Sequence, residues 1–110
     1  MTRYRIEMSQ AVRDLVPHLP PQLKRKVKAA LRSIADDPYL GKELKEELAG
    51  LRSYPIARAR LIYRIAGTLV EIVAFGPRAD IYERAAAELS KTFRGEPQGR
   101  TLRKGSTDRR

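Results

Sequence analysis

The 110-residue chain contains no cysteine and a single histidine, and both shortages limit the catalytic groups and metal sites that it can form. Without cysteine there can be no disulfide, thiolate nucleophile or cysteine-based zinc site. His18 has no partner near it in the sequence that would mark it as a catalytic base. The adjacent acids Asp36 and Asp37 lack the further Asp or His spacing of a metal site and fit a helix end. We therefore expect neither a metal ion nor another cofactor.

Long apolar runs and recognisable phosphate loops are also missing. No stretch approaches the roughly 18 apolar residues that a membrane-spanning helix needs, and residues 1–7 lack the apolar core of a signal peptide. A cytoplasmic protein without a membrane partner is the expectation. Neither a glycine-rich phosphate loop nor a nucleophile elbow occurs in the chain.

Positive charge is what the chain has in excess. Its 23 Lys and Arg residues and 13 Asp and Glu residues give a formal net charge of +10 at pH 7. Residues 94–110 carry 6 basic and 2 acidic side chains, so residues 1–93 keep 17 and 11. The folded part is thus basic in its own right, which favours nucleic acid, an anionic membrane or an acidic protein as partner.

The apolar pattern predicts one α+β domain over residues 1–93, with the order β-α-α-β-β-β-α. Two helices follow a short first strand at 4–8, the first capped by Ser9 and the second opened by Pro20 and Pro21. On the second helix, basic side chains recur at four-residue spacing and form a row apart from the apolar face: Lys24, Lys28 and Arg32.

Three strands joined by tight turns make up the second half of the domain, at 51–56, 59–65 and 68–75. Consecutive hairpins pair antiparallel, so the sheet should be small and mainly antiparallel, with the helices on one face. Pro55 belongs to an edge or a strand end because it cannot donate to a ladder. Residues 94–110 contain almost no apolar side chain, which predicts a disordered basic tail.

The segment 42–48 predicts either a short helix or a mobile loop. In a helix, Lys42 and Lys45 would share a face and could meet phosphate. Three glutamates interleave with them, which favours solvated charge instead.

Alternation along the strand 59–65 places side chains of different character on its two faces. Leu61 and Tyr63 fall on the apolar face, whereas Arg58, Arg60 and Arg64 fall on the other. Guanidinium groups about 7 Å apart repel one another unless an anion joins them, and arginine binds phosphate bidentately. The alternative is a solvated polar face in which Glu71 of the next strand is a partner.

A turn at Gly76-Pro77 follows the strand 68–75 and is succeeded by Arg78 and, in the first turn of the last helix, Tyr82. These two side chains should lie close together beside the strand end. The tyrosine there can stack on a base or bond a phosphate. The alternative places Tyr82 half-buried in the core.

Together these segments resemble the RelE/ParE toxin superfamily of bacterial toxin–antitoxin systems over about residues 3–90. The segments that carry the resemblance are Tyr4-Arg5-Ile6, Leu51-Arg52-Ser53-Tyr54, Arg60-Leu61-Ile62-Tyr63-Arg64-Ile65 and Arg78 with Ile81-Tyr82. The resemblance implies a compact toxin with two helices packed on a small antiparallel sheet.

For a RelE-like member, the resemblance implies a ribosome-dependent endoribonuclease that inhibits translation without a metal. The 2′-hydroxyl of the mRNA itself is the nucleophile. Arg60 matches the arginine at the scissile phosphate, Arg78 the one that stabilises charge there, and Tyr82 the tyrosine that stacks on the RNA. Further RNA ligands would be Arg52, Arg58, Arg64, Lys42 and Lys45. A cognate antitoxin is the expected partner, with acidic side chains toward Arg60 and Arg78 and operator DNA reached through it.

The chain departs from the RelE pattern at two positions. Ser53 and Pro55 stand where RelE-type enzymes carry basic side chains, and no His or Glu marks an acid–base group at the site. Two alternatives therefore stay open. One is a ParE-like inhibitor of DNA gyrase, and the other is a non-catalytic basic module that acts in repression of its own operon.

Overall fold

A computed structural model describes residues 3–94, with side chains as far as Glu88. The tail predicted for 94–110 lies outside the described residues except for Arg94, which ends the last helix. In this part of the chain five strands and three helices form: β1 (Arg5–Met8), α1 (Gln10–Leu15), α2 (Pro21–Asp36), β2 (Lys42–Glu43), β3 (Leu51–Ile56), β4 (Ala59–Ala66), β5 (Leu69–Pro77) and α3 (Ile81–Arg94). The α+β class is confirmed.

One sheet contains all five strands, in the order β1-β5-β4-β3-β2. Strands β3, β4 and β5 pair antiparallel as predicted. Strand β1 pairs parallel with β5, and Arg5 lies opposite Leu69. Pro55 is the next-to-last residue of β3, beyond the short stretch that pairs with β2, so its missing N–H breaks no ladder there.

The helix boundaries follow from the predicted caps. Ser9 is the N-cap of α1: its Oγ accepts from the Val12 N–H at 3.3 Å and donates to the Val73 carbonyl at 2.9 Å. Helix α2 begins at Pro21, where the absent proline N–H removes no helical bond. It ends at Asp36, and the Asp37 carboxylate then accepts from the Tyr39 N–H at 3.1 Å.

The segment 42–48 differs from both forms that its sequence predicted. Lys42 and Glu43 form β2, which pairs with Ser53 and Arg52 of β3, and a 3-10 turn follows at Glu46–Leu48. Lys42 and Lys45 therefore share no helical face. A strand of two residues is too short to show an alternating pattern in the sequence. Its position is set by its pairing with β3, which lies about ten residues further along the chain.

Helices cover both faces of the sheet, so the expectation of one covered face is wrong. On one face, α1 and α2 pack on β4 and β5 through Val12, Val27, Ile34, Leu61, Tyr63 and Ile72. On the other face, Ile81 and Ala85 of α3 pack on Leu51, Ile62, Val73 and Ala74. The α3 face needs cover because Leu51 and Ile62 are apolar there, and a β-bulge in β5 adds to it, since Ile62 lies opposite Ala74 but Tyr63 lies opposite Ile72. Because Val73 is the extra residue, two successive apolar side chains require cover on the α3 face.

Tyr63 fixes the chain that crosses from α2 to β2. Its buried hydroxyl donates to the Pro38 carbonyl at 2.6 Å and accepts from the Gly41 N–H at 2.9 Å. A Cβ at Gly41 would lie 2.6 Å from that hydroxyl, so the close approach requires glycine. Desolvation by burial raises the pKa of Tyr63 from 10.0, although the Gly41 hydrogen bond and the Arg52 charge act in the opposite direction.

Removing this hydroxyl by Tyr63→Phe should lower the free energy of unfolding by about 1–3 kcal/mol, because two buried backbone groups lose their partner. The effect should shrink above about pH 10, because the raised pKa makes the unfolded state lose its phenolic proton before the folded state does. The stability that the protonated Tyr63 contributes is fully present below the pKa of Tyr63 in the unfolded state. It is lost as pH rises through the pKa of Tyr63 in the folded state. Urea unfolding at about pH 7 and about pH 11 measures both effects.

The matched control is Tyr39→Phe, because Tyr39 is 59% exposed. This variant keeps the ring that Arg52 covers at 5.0 Å, and we expect it to change stability by less than about 0.5 kcal/mol. Equal losses in the two variants would contradict the role of Tyr63.

Candidate nucleic-acid interface

Arg60 is the second residue of β4, the middle strand of the sheet, and therefore lies near one end of the sheet. It is half-buried, and it pairs with Pro55 of β3 on one side and Gly76 of β5 on the other. Alternation places it on the same face as Ile62, which packs against α3. Its side chain therefore leaves the sheet on the face that α3 covers.

Arg78 and Tyr82 are carried to the same end of the sheet by the turn between β5 and α3. Arg78 is exposed and comes two residues after Gly76, the partner of Arg60, which is about 7 Å of extended chain. Tyr82 lies in the first turn of α3 and packs, half-buried, against the Ile62 cluster. Arg60 and Arg78 thus lie near the same end of the sheet, and Tyr82 packs on the sheet face that α3 covers.

Arg58 also belongs to this end. It lies exposed in the β3–β4 turn, after Ala57, whose φ of 56° is left-handed, and β4 then begins opposite Pro77. The turn therefore places Arg58 at the end of β4 where Arg60 also lies.

Sequence reasoning missed a further arginine here, Arg84 of α3. Its Nη2 donates to the Phe75 carbonyl at 3.4 Å, and its Nη1 lies 3.8 Å from an Asp80 carboxylate oxygen. The guanidinium covers Gly76 so closely that a Cβ there would collide with it. The i,i+4 spacing of Asp80 and Arg84 is the signal that could have indicated it. We call Arg58, Arg60, Arg78 and Arg84, with Tyr82, the arginine end.

Four other predicted RNA ligands lie elsewhere. Arg64 forms an ion pair with Glu71, and the two side chains are 19% and 22% exposed. Arg52 lies on the opposite sheet face, where its Nη1 donates to the Gly41 carbonyl at 2.8 Å. Lys42 and Lys45 are exposed at the β2 edge and in the loop that follows. Of the two interpretations of the strand arginines, a phosphate site or a polar face with Glu71 as partner, the second therefore applies to Arg64.

The two positions that depart from the RelE pattern lie beside Arg60. Pro55 is its direct partner in β3, and Ser53 lies opposite Ile62. Ser53 is 1% exposed, and its Oγ has no hydrogen-bond partner among the described residues. No basic side chain from β3 therefore reaches the α3 face next to Arg60 at these positions.

An apolar cavity of about 640 Å³ opens beside the arginine end. It lies between the α1–α2 turn and the β3–β4 turn, and its apolar lining includes Leu19, Leu23 and Phe75. Arg58 and Arg84 contribute to its wall. The arginine end thus borders an apolar surface with positive charge at its margin.

Acid–base and metal-binding groups are sparse at this site. The His18 ring lies in the α1–α2 turn, with Nδ1 3.0 Å from the Asp14 carbonyl. Within residues 3–94, His, Asp and Glu side chains form no cluster able to hold a metal ion. None of the described helices has the length and apolar character needed to cross a bilayer.

Comparison with known proteins identifies the family. The model of the ParE toxin of type II toxin–antitoxin systems matches residues 4–82. The chain therefore belongs to this family, within the RelE/ParE toxin superfamily, as its sequence motifs indicated.

Solved structures with the same fold include toxins and toxin–antitoxin complexes. A chain of the RelBE2 toxin–antitoxin complex from Mycobacterium tuberculosis is 31% identical, with a TM-score of 0.62 over 70% of this chain and 100% of that one. A mutant of the E. coli toxin RelE in the free state has 14% identity and a TM-score of 0.67, over 83% and 98%. The archaeal RelE–RelB complex of Pyrococcus horikoshii has 20% identity and a TM-score of 0.59, over 71% and 98%. A search of curated proteins found no significant match.

Proposed function

We propose that this toxin is a ribosome-dependent endoribonuclease that inhibits translation by cutting mRNA in the cytoplasm. The proposal is supported by the arginine end, where Arg60 and Arg78 come from separate segments near one end of the sheet and Tyr82 packs on the sheet face that α3 covers. Guanidinium groups stay charged at physiological pH and bind phosphate bidentately. A phenol next to them offers a stacking surface for an unpaired base.

In this mechanism, the 2′-hydroxyl oxygen of the mRNA attacks the adjacent phosphorus, and the bond from phosphorus to the 5′-oxygen breaks. The products are a 2′,3′-cyclic phosphate and a free 5′-hydroxyl. Arg60 and Arg78 stabilise the negative charge that develops on the phosphate oxygens. Arginine is a poor proton acceptor because its pKa lies above about 12, so water must take the 2′-hydroxyl proton and supply the proton of the leaving oxygen. General acid–base help is worth about 10²–10⁴, and we expect slow cutting without it.

An antitoxin partner is part of the proposal. Two of the similar structures are toxin–antitoxin complexes, and the arginine end would attract an acidic chain. Aspartate or glutamate side chains of that partner would lie against Arg60 and Arg78, and operator DNA would be reached through the partner. Arginine-selective labelling tests this contact, because both residues should be protected in the complex and labelled in the free toxin.

Inhibition of DNA gyrase is the second candidate. The match to the ParE toxin model favours it, and so do the uncharged positions Ser53 and Pro55 beside Arg60. A gyrase inhibitor needs no group that cuts RNA.

Two assays run in parallel separate these functions. The full chain is incubated with programmed ribosomes and the message ends are mapped, while a second portion is added to a gyrase supercoiling assay. Cuts that require the ribosome support the proposed nuclease. Loss of supercoiling without cuts supports gyrase inhibition, and silence in both supports a non-catalytic basic module.

A further inference from the structure

The apolar cavity beside the arginine end is a recess in the core of the domain. Its floor is formed by the buried side chains of Ile56 and Phe75, at the ends of β3 and β5. Its walls are three half-buried leucines from α1, the α1–α2 turn and α2, namely Leu15, Leu19 and Leu23. All five side chains belong to the core cluster between the helix pair and the sheet.

The mouth of this cavity is positively charged. Lys26, Arg58 and Arg84 line it, all three are exposed, and none of its described lining residues is acidic. Arg84 is held in place by the Phe75 carbonyl at 3.4 Å and an Asp80 carboxylate oxygen at 3.8 Å. Within the described side chains, neither Lys26 nor Arg58 forms an ion pair. Two cations at the mouth are therefore available to an anionic ligand.

Size and chemistry together define the ligand class. The cavity volume of about 640 Å³ lies within the range of about 300–1,000 Å³ that is usual for small-molecule sites. Such sites combine an apolar lining with a few polar groups that orient the ligand. Because the polar groups here are cations at the mouth, the matching ligand has an apolar body and a negative charge at one end. An aliphatic carboxylate has both.

A protein segment matches this recess less well than a small molecule does. Stable protein interfaces bury about 800 Å² on each partner, and aromatic or apolar anchors near their centre dominate the binding energy. Among the described residues, the large apolar side chains that are exposed are Tyr39 and Leu40. Neither of them lines the cavity. The surface around the mouth therefore lacks the apolar margin that a protein partner would cover.

We propose that this cavity binds an aliphatic carboxylate, with the chain against Phe75 and the three leucines and the carboxylate between Lys26 and Arg58. Arg58 belongs to the arginine end, so the bound carboxylate would compete there with a phosphate of the message. That consequence rests on the proposed nuclease function, whereas the binding site itself does not. The ligand would thus weaken the toxin's hold on its message.

Calorimetric titration of the full chain with octanoate and decanoate tests the cavity. Each methylene group that enters it should strengthen binding about fourfold, so decanoate should bind about 16-fold more tightly than octanoate. The binding enthalpy should become more negative as temperature rises, because burial of apolar surface lowers the heat capacity. Affinity that is independent of chain length would overturn the proposal.

The charged mouth is tested by removing the charge from either side. Decanol has the same chain without the charge, and it should bind about tenfold more weakly, since each exposed charge pair is worth up to about fivefold. Lys26→Gln with Arg58→Gln should weaken decanoate to the same extent and leave decanol unchanged. The control is Arg5→Gln with Arg13→Gln, two exposed arginines outside the cavity lining. Equal losses in both double variants would contradict a specific role for the mouth.

Filling the cavity provides a second test. Ala59 is half-buried and lines the cavity at the start of β4, so Ala59→Leu should exclude at least two methylene groups of the ligand. Binding of both decanoate and decanol should weaken by more than about 16-fold. The control is Ala66→Leu at the exposed far end of the same strand, which should change neither. Thermal melting checks that both variants fold, and the chain-length series decides if Ala59→Leu does not. Binding that persists in a folded Ala59→Leu is adventitious and overturns the proposal.

Message cutting on programmed ribosomes tests the link to the arginine end. Saturating decanoate should raise the toxin concentration for half-maximal cutting by about two- to fivefold in the wild type, and this ratio should return to about one in Ala59→Leu. If decanoate binds but the wild type cuts no message, the proposed nuclease is wrong and the cavity assignment stands. If cutting occurs and bound decanoate leaves it unchanged, the competition is wrong. If an acidic leucine-rich peptide binds and decanoate does not, the occupant is a protein segment and the proposal is overturned.

Discussion

Replacing Arg78 with alanine is expected to lower the rate of message cutting by about 10²–10³-fold, the usual cost of removing a group that stabilises transition-state charge. Arg78 is exposed in the turn before α3, so its truncation removes charge with little loss of packing. Single-turnover cutting on programmed ribosomes, at saturating toxin, measures the effect. Saturation separates a loss of cutting rate from a loss of binding.

The matched control is Arg13→Ala, because Arg13 is exposed on α1 and its guanidinium group donates to the Gln10 side chain, also exposed. It removes the same charge from a helix outside the arginine end and should leave the maximal rate within about twofold, as exposed surface charges usually do. Unchanged cutting by Arg78→Ala would remove this residue from the mechanism. Equal losses in the two variants would point to net charge instead.

Truncating Ile62 to alanine is expected to cost about 2–5 kcal/mol of folding free energy, because the side chain is fully buried between the sheet and α3. For a domain of this size, each kcal/mol lowers the melting temperature by about 4–8 °C. The cavity would lie directly beneath Ile81 and the first turn of α3. Tyr82 should lose its fixed position, and cutting should decline at temperatures where the variant is still folded.

Leu61→Ala is the control, because Leu61 is the neighbouring residue, equally buried, and packs on the opposite face. Both variants should unfold at lower temperature, but hydrogen exchange in α3 should accelerate more in Ile62→Ala. If Ile62→Ala does not fold, the milder Ile62→Val replaces it in the comparison, because it should lower the free energy of unfolding by only about 0.5–1.5 kcal/mol. Identical exchange in α3 for both strand positions would argue against separate packing layers.

Much of the fold was predictable because its signals are local. Alternation in β4 assigned Leu61 and Tyr63 to one face and Arg60 to the other, as the register confirms. The cap at Ser9 and the proline start of α2 also depend only on neighbouring residues. Arg60, Arg78 and Tyr82 were proposed on the same kind of local signal, since strand ends and tight turns follow from short motifs, and their roles stay predictions.

The remainder depends on contacts between distant segments. Strand β2 has only two exposed residues, and Tyr63 fixes the chain before it from 22 residues away. Arg64 has the same alternation as Arg60, yet the hairpin register gives it Glu71 as a partner. Position along a strand therefore identified candidate arginines without showing which of them are held by a carboxylate.

The parallel pairing of β1 with β5 delays completion of the toxin during its synthesis. Arg5 and its partner Leu69 are 64 residues apart, and within residues 3–94 β5 is the one strand with which β1 pairs. At about 5–20 residues per second, the ribosome takes roughly 3–13 s to go from one to the other. The arginine end needs the same late segments, so a chain that is only partly synthesised has not yet assembled this site.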